Sequence, residues 1–598
     1  MKQNAELIMG LTSTDNQLPR SHCKTMNVTN FITRFQTTHL AVGALLGCIC
    51  CLFPIEGVSA VDFSPLSPFG IGTCYQRSGD LTNWLPPMIK IGITNLRACR
   101  SGFGDVEPAE GKWRWDKLDN DLRYAAANHI ELFALLNGKG KWNTKDLPKT
   151  LPINNLPAWS TYVRETVKHA NGRIRYWEVW NEPPNGTSDA PASDYAKVVV
   201  AAYDAAKASD PSCRVGLAAK SVDLNYLDQA IKTGAKDHFD YLTLHPYEVL
   251  GCALNRVGTE PVFMSIVPTA RKMLAATNPS KANVPIIFTE LGCNAAKLGV
   301  AVHAQALVKA YTMGIAQGVA CINWFEGMDG DSGPMGLLQA DGTPRPAYTA
   351  MAQMIQHLGQ YPQYLGWVLL NDKDYGFVFQ GAKSTVLITW APKGATNEVD
   401  FGQTVQIVDP MTGNTTTNKT RLLTTAPIFV IGVPAELSKQ AQSNKAKPFP
   451  WGGDYTSAKS VSVTFGDKTV ENGLHTHAGE AIAADVITYG GSARVGNVPG
   501  GNVYMVDPNF LSYTTTPIQI TAVVRRNPAN DPAELDLEYE STTGYKKAPM
   551  YEIPDNTEWH NATWTIDDSQ FVSKYGFNFR FDAGTYYIQS VTVTKLAR

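Results

Sequence analysis

Beyond Ala60 the chain has no CxxC pair, no cysteine–histidine cluster at metal-ligand spacing and no glycine-rich phosphate loop behind its first apolar run, and the whole sequence has no excess of either charge. The first two absences leave no pattern for a zinc or dithiol redox centre. A formal net charge of −2 gives no electrostatic footprint for nucleic acid or an anionic membrane surface. The missing glycine loop takes away the cradle that nucleotide cofactors use, so neither cofactor nor metal is expected. Long apolar runs are also scarce: Leu40 to Phe53 is shorter than the roughly 20 residues that a membrane helix needs, so no transmembrane span is expected in the mature chain.

That short run has another reading. It follows a polar, aperiodic stretch, residues 1–38, and precedes Val58-Ser59-Ala60, small residues suited to signal cleavage. Residues 1–60 are therefore read as a targeting segment with the mature chain starting near Val61. Met26 is an alternative initiator, and Arg34 is then the positive charge of the signal. A secreted or extracytoplasmic protein is expected. Leu45-Leu46-Gly47-Cys48 offers a lipoprotein alternative, against which Ile49, Cys50 and Cys51 argue, and an uncleaved anchor is a further alternative. Of ten cysteines, Cys74, Cys99, Cys213, Cys252, Cys293 and Cys321 lie beyond Ala60; Cys252 and Cys293 both follow strands near the presumed site and are the pair expected to bridge in an oxidising compartment.

What the chain does have is length and alternation. With 598 residues it exceeds the roughly 250–300 at which a single core stops growing, so several domains are expected. From Phe69 to about Gln356, short apolar runs alternate with amphipathic stretches. The strand candidates are Phe69–Cys74, Ile93–Ala98, Glu131–Leu136, Ile174–Trp180, Arg214–Leu217, Tyr241–Leu244, Pro285–Thr289 and Ala320–Trp324. Helical patterns such as Trp115–Asn128, Ser193–Ala208 and Ala301–Gln317 lie between them. Eight strands each followed by a helix fit a (β/α)8 TIM barrel over residues 61–358. An open doubly wound sheet is the rival, but Gly70-Ile71-Gly72 lies inside the first strand instead of after it. Beyond Gly359 the period changes to short β-rich runs. Residues 359–437 read as a small antiparallel sandwich, 438–450 as a linker, and 451–598 as a jelly roll resembling carbohydrate-binding modules, in which Tyr545, Trp559 and Trp564 either pack the core or face sugar.

In a (β/α)8 barrel, residues just past each strand converge on one mouth. The fourth strand runs into Asn181-Glu182-Pro183-Pro184 and the seventh ends at Thr289-Glu290, which sets two carboxylic acids across one pocket. Paired carboxylates are what glycosidic cleavage requires: one protonates the leaving oxygen, and the other attacks the anomeric carbon or activates water. Arg97, His245 and Tyr247 converge from the second and sixth strands, where a cation and a phenol beside a carboxylate keep it ionised. Trp324 ends the eighth strand, and an indole there suits the apolar face of a sugar ring. Glu178, inside the fourth strand, is expected to support the site without touching substrate.

These motifs together resemble clan A of the glycoside hydrolases, the retaining (β/α)8 enzymes. Leu96-Arg97, then Phe103-Gly104-Asp105-Val106-Glu107-Pro108, is most similar to family 39; Gly336-Leu337-Leu338 with Asp341-Gly342-Thr343-Pro344-Arg345-Pro346 resembles a passage common in the clan, and families 5 and 30 share much of the pattern. The resemblance spans about residues 69–358. It implies Glu182 as general acid/base, Glu290 as nucleophile, Asn181 as a partner of the sugar 2-hydroxyl, Tyr247 and Arg97 as the groups that hold Glu290 charged, and His245 as a residue shaping the pocket near the acid/base. Asn137-Gly138-Lys139-Gly140-Lys141-Trp142 departs from the family pattern and leaves the non-reducing side of the pocket unassigned. The expected function is cleavage of β-glycosidic bonds in an extracellular oligo- or polysaccharide by double displacement. An exo-acting β-xylosidase or β-glucosidase is one alternative, and a non-catalytic carbohydrate-binding protein on a barrel scaffold is another. The sugar, the linkage and the oligomeric state are not legible.

Overall fold

The computed structural model describes residues 65–597 except 73–79, 147–149, 185–189, 256–258, 451–452, 467, 477–484, 489–490, 499, 528–531 and 557. The segment expected to target the chain, Cys74 and the end of the first expected strand lie outside the described residues.

Eight parallel strands close on themselves: β1 Phe69–Gly72, β2 Asn95–Arg97, β3 Glu131–Leu136, β4 Tyr176–Val179, β5 Arg214–Ala218, β6 Tyr241–Leu244, β7 Ile286–Leu291 and β8 Cys321–Phe325. Closure is carried by β8 pairing with β1, Ile71 opposite Trp324. The strands are apolar on both faces because each is covered by helices outside and by the other strands inside. Phe133, Tyr176, Tyr241, Ile287 and Cys321, all at or near strand starts, form a small cluster separate from the main core. They plug one end of the barrel and leave polar residues to gather at the other. The expected helices are present within one to three residues, and two more, Tyr247–Asn255 and Glu260–Met264, follow β6.

The next segment forms one six-stranded antiparallel sheet where two facing sheets were expected. Its strands are β9 Gln363–Leu370, β10 Asp374–Gln380, β11 Thr385–Trp390, β12 Asn397–Val408, β13 Thr415–Leu423 and β14 Ile428–Ile431, in the order β13-β12-β14-β11-β10-β9. Strand alternation explains how one sheet serves two cores. Phe377, Phe379, Ile388 and Trp390 join the barrel core, while Val378, Leu387 and Val430 face a second one with Ala441. The linker expected at 438–450 is largely a helix, Ala435–Asn444, laid on β9. A Cβ on Gly366 (φ +145°) would sit 1.8 Å from the Ala441 carbonyl oxygen, so only glycine admits this approach.

The last domain is a two-sheet β structure of the expected jelly-roll kind. Strands Ser460–Thr464, Ile518–Arg526, His560–Ile566 and Tyr586–Lys595 in one sheet face Leu474–Thr476, Asn502–Val506, Leu537–Ser541 and Phe579–Phe581 in the other across its own apolar core. Trp564 belongs to that core and donates its indole N–H to the Pro549 carbonyl at 2.7 Å. Trp559 is half-buried beneath the Arg525 guanidinium, 4.4 Å from its ring centroid. No helix among the described residues is long and apolar enough to cross a membrane.

Candidate active site

The acid after β4 is aimed by unusual backbone. Val179 ends the strand, and Trp180 and Glu182 adopt left-handed φ values of +67° and +50° before Pro183-Pro184 turns the chain away. The carboxyl group of Glu182 is thereby turned into the mouth. Glu290 comes from inside β7, two residues beyond Phe288, which is paired with Ile322 of β8. A carboxylate oxygen of Glu182, one of Glu290 and a ring nitrogen of His245 all lie within 4.8 Å of one another.

Arg97, at the end of β2, organises one side. Its guanidinium donates to Glu178 at 2.8 Å and to the Asn181 side-chain oxygen at 2.8 Å, and it is in tight contact with Glu290. Burial alone would lower the Arg97 pKa, but Glu178 and Glu290 outweigh it and keep the cation charged. The Tyr247 hydroxyl donates to the second Glu290 oxygen at 2.9 Å. Burial, followed by the charges of Glu290 and Glu182, pushes the Tyr247 pKa well up, so the phenol remains a donor. Glu290 thus has a donor on each carboxylate oxygen, which sets its orientation.

His245 organises the other side. It is 1% exposed, with Nδ1 2.9 Å from Glu182 and Nε2 3.0 Å from the Thr289 hydroxyl. Thr289 and Thr243 both donate to Glu178, at 2.7 and 2.6 Å. Burial would raise Glu182, but the His245 hydrogen bond and the positive charges of His245, Lys220 and Arg97 bring its pKa below the usual carboxylate value. For His245, burial lowers the pKa, and Glu290 and Glu182 more than restore it, so the net shift is upward. The two shifts are opposite because the imidazole and the Glu182 carboxyl group face each other across one hydrogen bond, a pair able to share a proton. Glu178 is buried, which would raise it, yet Arg97 and His245 hold it low, so it acts as a fixed negative post behind both.

Trp324 departs from the expectation. It is fully buried and meets His303 edge-on at 5.5 Å, so it packs against the helix Val300–Gln317 and presents no face to a ligand. The strand runs one residue further than expected, and the partly exposed Phe325 takes the mouth position, edge-on to Tyr247 at 6.5 Å. The expected bridge is also not formed: Cys252 and Cys293 make no disulfide, and the Cys252 sulfur lies against Gly576 of the last domain. Thr243 belongs to the site and was not singled out from sequence, and Thr289, read there only as the residue before Glu290, proves to be a hydrogen-bond partner of Glu178 and His245. Glu182, His245 and Glu290 carry donor atoms that a metal ion could use, but Arg97 already neutralises Glu290, so their charge balance suits a proton better than a divalent ion.

No protein-family model and no curated protein sequence matches the chain. Among solved structures, a family 39 glycoside hydrolase from the gut symbiont Bacteroides cellulosilyticus WH2 is similar with a TM-score of 0.52 at 18% identity, over 62% of this chain and 81% of that one. A family 30 endoxylanase from Clostridium papyrosolvens C71 gives a TM-score of 0.44 at 14% identity, over 62% and 97% of the two chains. The barrel therefore has the (β/α)8 fold of the clan A glycoside hydrolases.

Proposed function

We propose that this protein is a retaining β-glycosidase acting on an extracellular oligo- or polysaccharide. The reading rests on one observation above all: one carboxylate oxygen of Glu182 lies within 4.8 Å of one of Glu290, a spacing that matches the roughly 5–5.5 Å between groups in retaining pairs better than the roughly 6.5–9.5 Å that lets a water attack directly with inversion. At this spacing Glu290 attacks the anomeric carbon, its charge held by Arg97 and Tyr247. Glu182 passes the shared proton to the departing oxygen, and then takes a proton from the water that opens the glycosyl-enzyme. Asn181, held by Arg97, presents its amide to the sugar 2-hydroxyl. Phe325 supplies the apolar surface at the eighth strand. Proton NMR of the first product formed from an aryl β-glycoside is expected to show the β anomer; the α anomer appearing first refutes double displacement.

Export and the appended β domain favour a polymer cleaved internally over exo action. A binding-only protein is disfavoured because recognition alone has no use for a proton shared between His245 and Glu182 opposite a bare carboxylate. Product profiles on a panel of polysaccharides and aryl glycosides separate the three readings.

The shared proton carries a pH signature. Activity requires that proton, and it is lost as pH rises through the His245 pKa, which lies above the ordinary value of 6.5. In His245→Gln the proton has only the Glu182 carboxyl to rest on, so the alkaline limb of kcat/KM is expected to move to lower pH. An alkaline limb that stays in place in the variant places the proton elsewhere.

A further inference from the structure

The last domain reaches the mouth of the barrel through one buried carboxylate. Glu540, 1% exposed, accepts the backbone N–H groups of Val572, Ser573 and Lys574 at 2.9, 3.0 and 2.7 Å and the Asn578 side-chain amide at 2.9 Å. Four donors on one carboxylate close the loop 572–578 into a rigid hook. The hook is seated on the barrel. The Lys574 carbonyl accepts from the Ser221 hydroxyl at 2.5 Å and from the Val222 N–H at 3.4 Å, and the Lys574 ammonium pairs with Asp223 at 2.5 Å. Gly576 closes the seat: its φ is +81°, and a Cβ there would lie 2.4 Å from the Cys252 sulfur. Beside it, Asn225 donates to the Ser541 and Gln570 carbonyls at 2.8 and 3.1 Å.

The receiving turn is the one that braces the proton-bearing pair. Ser221 holds a left-handed φ of +50°, its carbonyl accepts the His245 backbone N–H at 3.2 Å, and the neighbouring Lys220 N–H donates to the Pro183 carbonyl at 3.2 Å, next to Glu182. Within the barrel the Ser221 side chain has one further partner, Glu248 at 2.7 Å. A non-glycine residue in left-handed backbone persists only where surrounding contacts over-determine it, and here part of that determination comes from another domain.

We propose that the C-terminal domain is a positioning element of the acid/base pair: the hook 572–576, closed by Glu540, sets the Lys220–Ser221 turn and through it the separation of Glu182 and His245. This rests on the glycosidase reading given above. In this role the domain acts first on proton delivery, since among the described residues no hydrogen bond joins the hook directly to Glu290, Arg97 or Tyr247 and its contact is with the turn that holds His245 and Pro183.

The test uses the full chain with two single variants, Glu540→Ala and Ser221→Ala, assayed on aryl β-glycosides with poor and good leaving groups. A phenyl leaving group needs the proton and a dinitrophenyl group does not. Both variants are expected to lose on the order of 10–100-fold in kcat/KM, which reports the first step, on the phenyl glycoside and less than about threefold in kcat/KM on the dinitrophenyl glycoside. A simple loss of stability lowers both substrates together; that result, or no loss on either, overturns the proposal. Should Glu540→Ala fail to fold, Ser221→Ala decides alone, because it removes one hydroxyl and keeps the backbone carbonyl that His245 uses. A wild-type chain that hydrolyses no aryl glycoside instead removes the glycosidase reading itself.

Discussion

Glu290→Gly is expected to lower kcat/KM for aryl β-glycosides on the order of 10⁶-fold, the scale on which a covalent enzyme falls when its nucleophile is deleted. The size follows from the site: Arg97 and Tyr247 are spent on Glu290, and both their donors lose their acceptor when the carboxylate goes. The space left beside Arg97 is lined by positive charge and is open to a small anion. Added azide should therefore restore turnover, attack from the vacated face and release the glycosyl azide of inverted, α configuration. Activity that survives the substitution unchanged would sink Glu290 as nucleophile, and rescue with retained configuration would place the vacancy on the other side of the sugar.

Glu182→Ala should behave differently on each substrate. With a sugar or phenol leaving group the lost proton costs about 10²–10⁴-fold in kcat/KM, the range for general acid catalysis. With a dinitrophenyl leaving group the first step needs no proton and is nearly preserved, so the glycosyl-enzyme accumulates because no base remains to activate water. Azide then intercepts it and gives the retained, β-configured azide. The two azide products, α from the Glu290 variant and β from the Glu182 variant, assign the two acids by stereochemistry alone. Equal losses for both leaving groups would argue that Glu182 serves binding or folding and not proton transfer.

How far the sequence reached depended on the kind of information each residue carries. The acids were legible because a carboxylate at the end of an apolar strand is an anomaly, and two of them at corresponding places in an eight-fold pattern leave few readings. The roles of Thr243 and Thr289 were not, since threonine in a strand is ordinary β-branched filler until its hydroxyl is seen on Glu178. Trp324 was misplaced by parity. In β8 the inward residues are Cys321, Asn323 and Phe325, and a strand taken to stop one residue early offers the outward-facing Trp324 as its tip. The helix Ala435–Asn444 hid because its apolar stripe is only Leu437 and Ala441, four residues apart, in otherwise polar sequence. The single sheet of β9–β14 was not readable either, because alternation reports which face a residue takes and not which strand lies alongside.

At the turn after β4, folding and chemistry want different residues. Trp180 and Glu182 stand in backbone that glycine occupies without penalty and that other side chains occupy at about 1–3 kcal/mol each, and Glu182 adds a carboxylate that burial disfavours. Trp180 offsets its backbone by packing in the core on Trp159, but a descendant of this chain released from turnover would gain stability by exchanging Glu182 for glycine or asparagine. Keeping a glutamate in that twisted position is a standing expense that only use of the carboxyl repays, so the residue at 182 is where a working barrel of this kind and a retired one would first diverge.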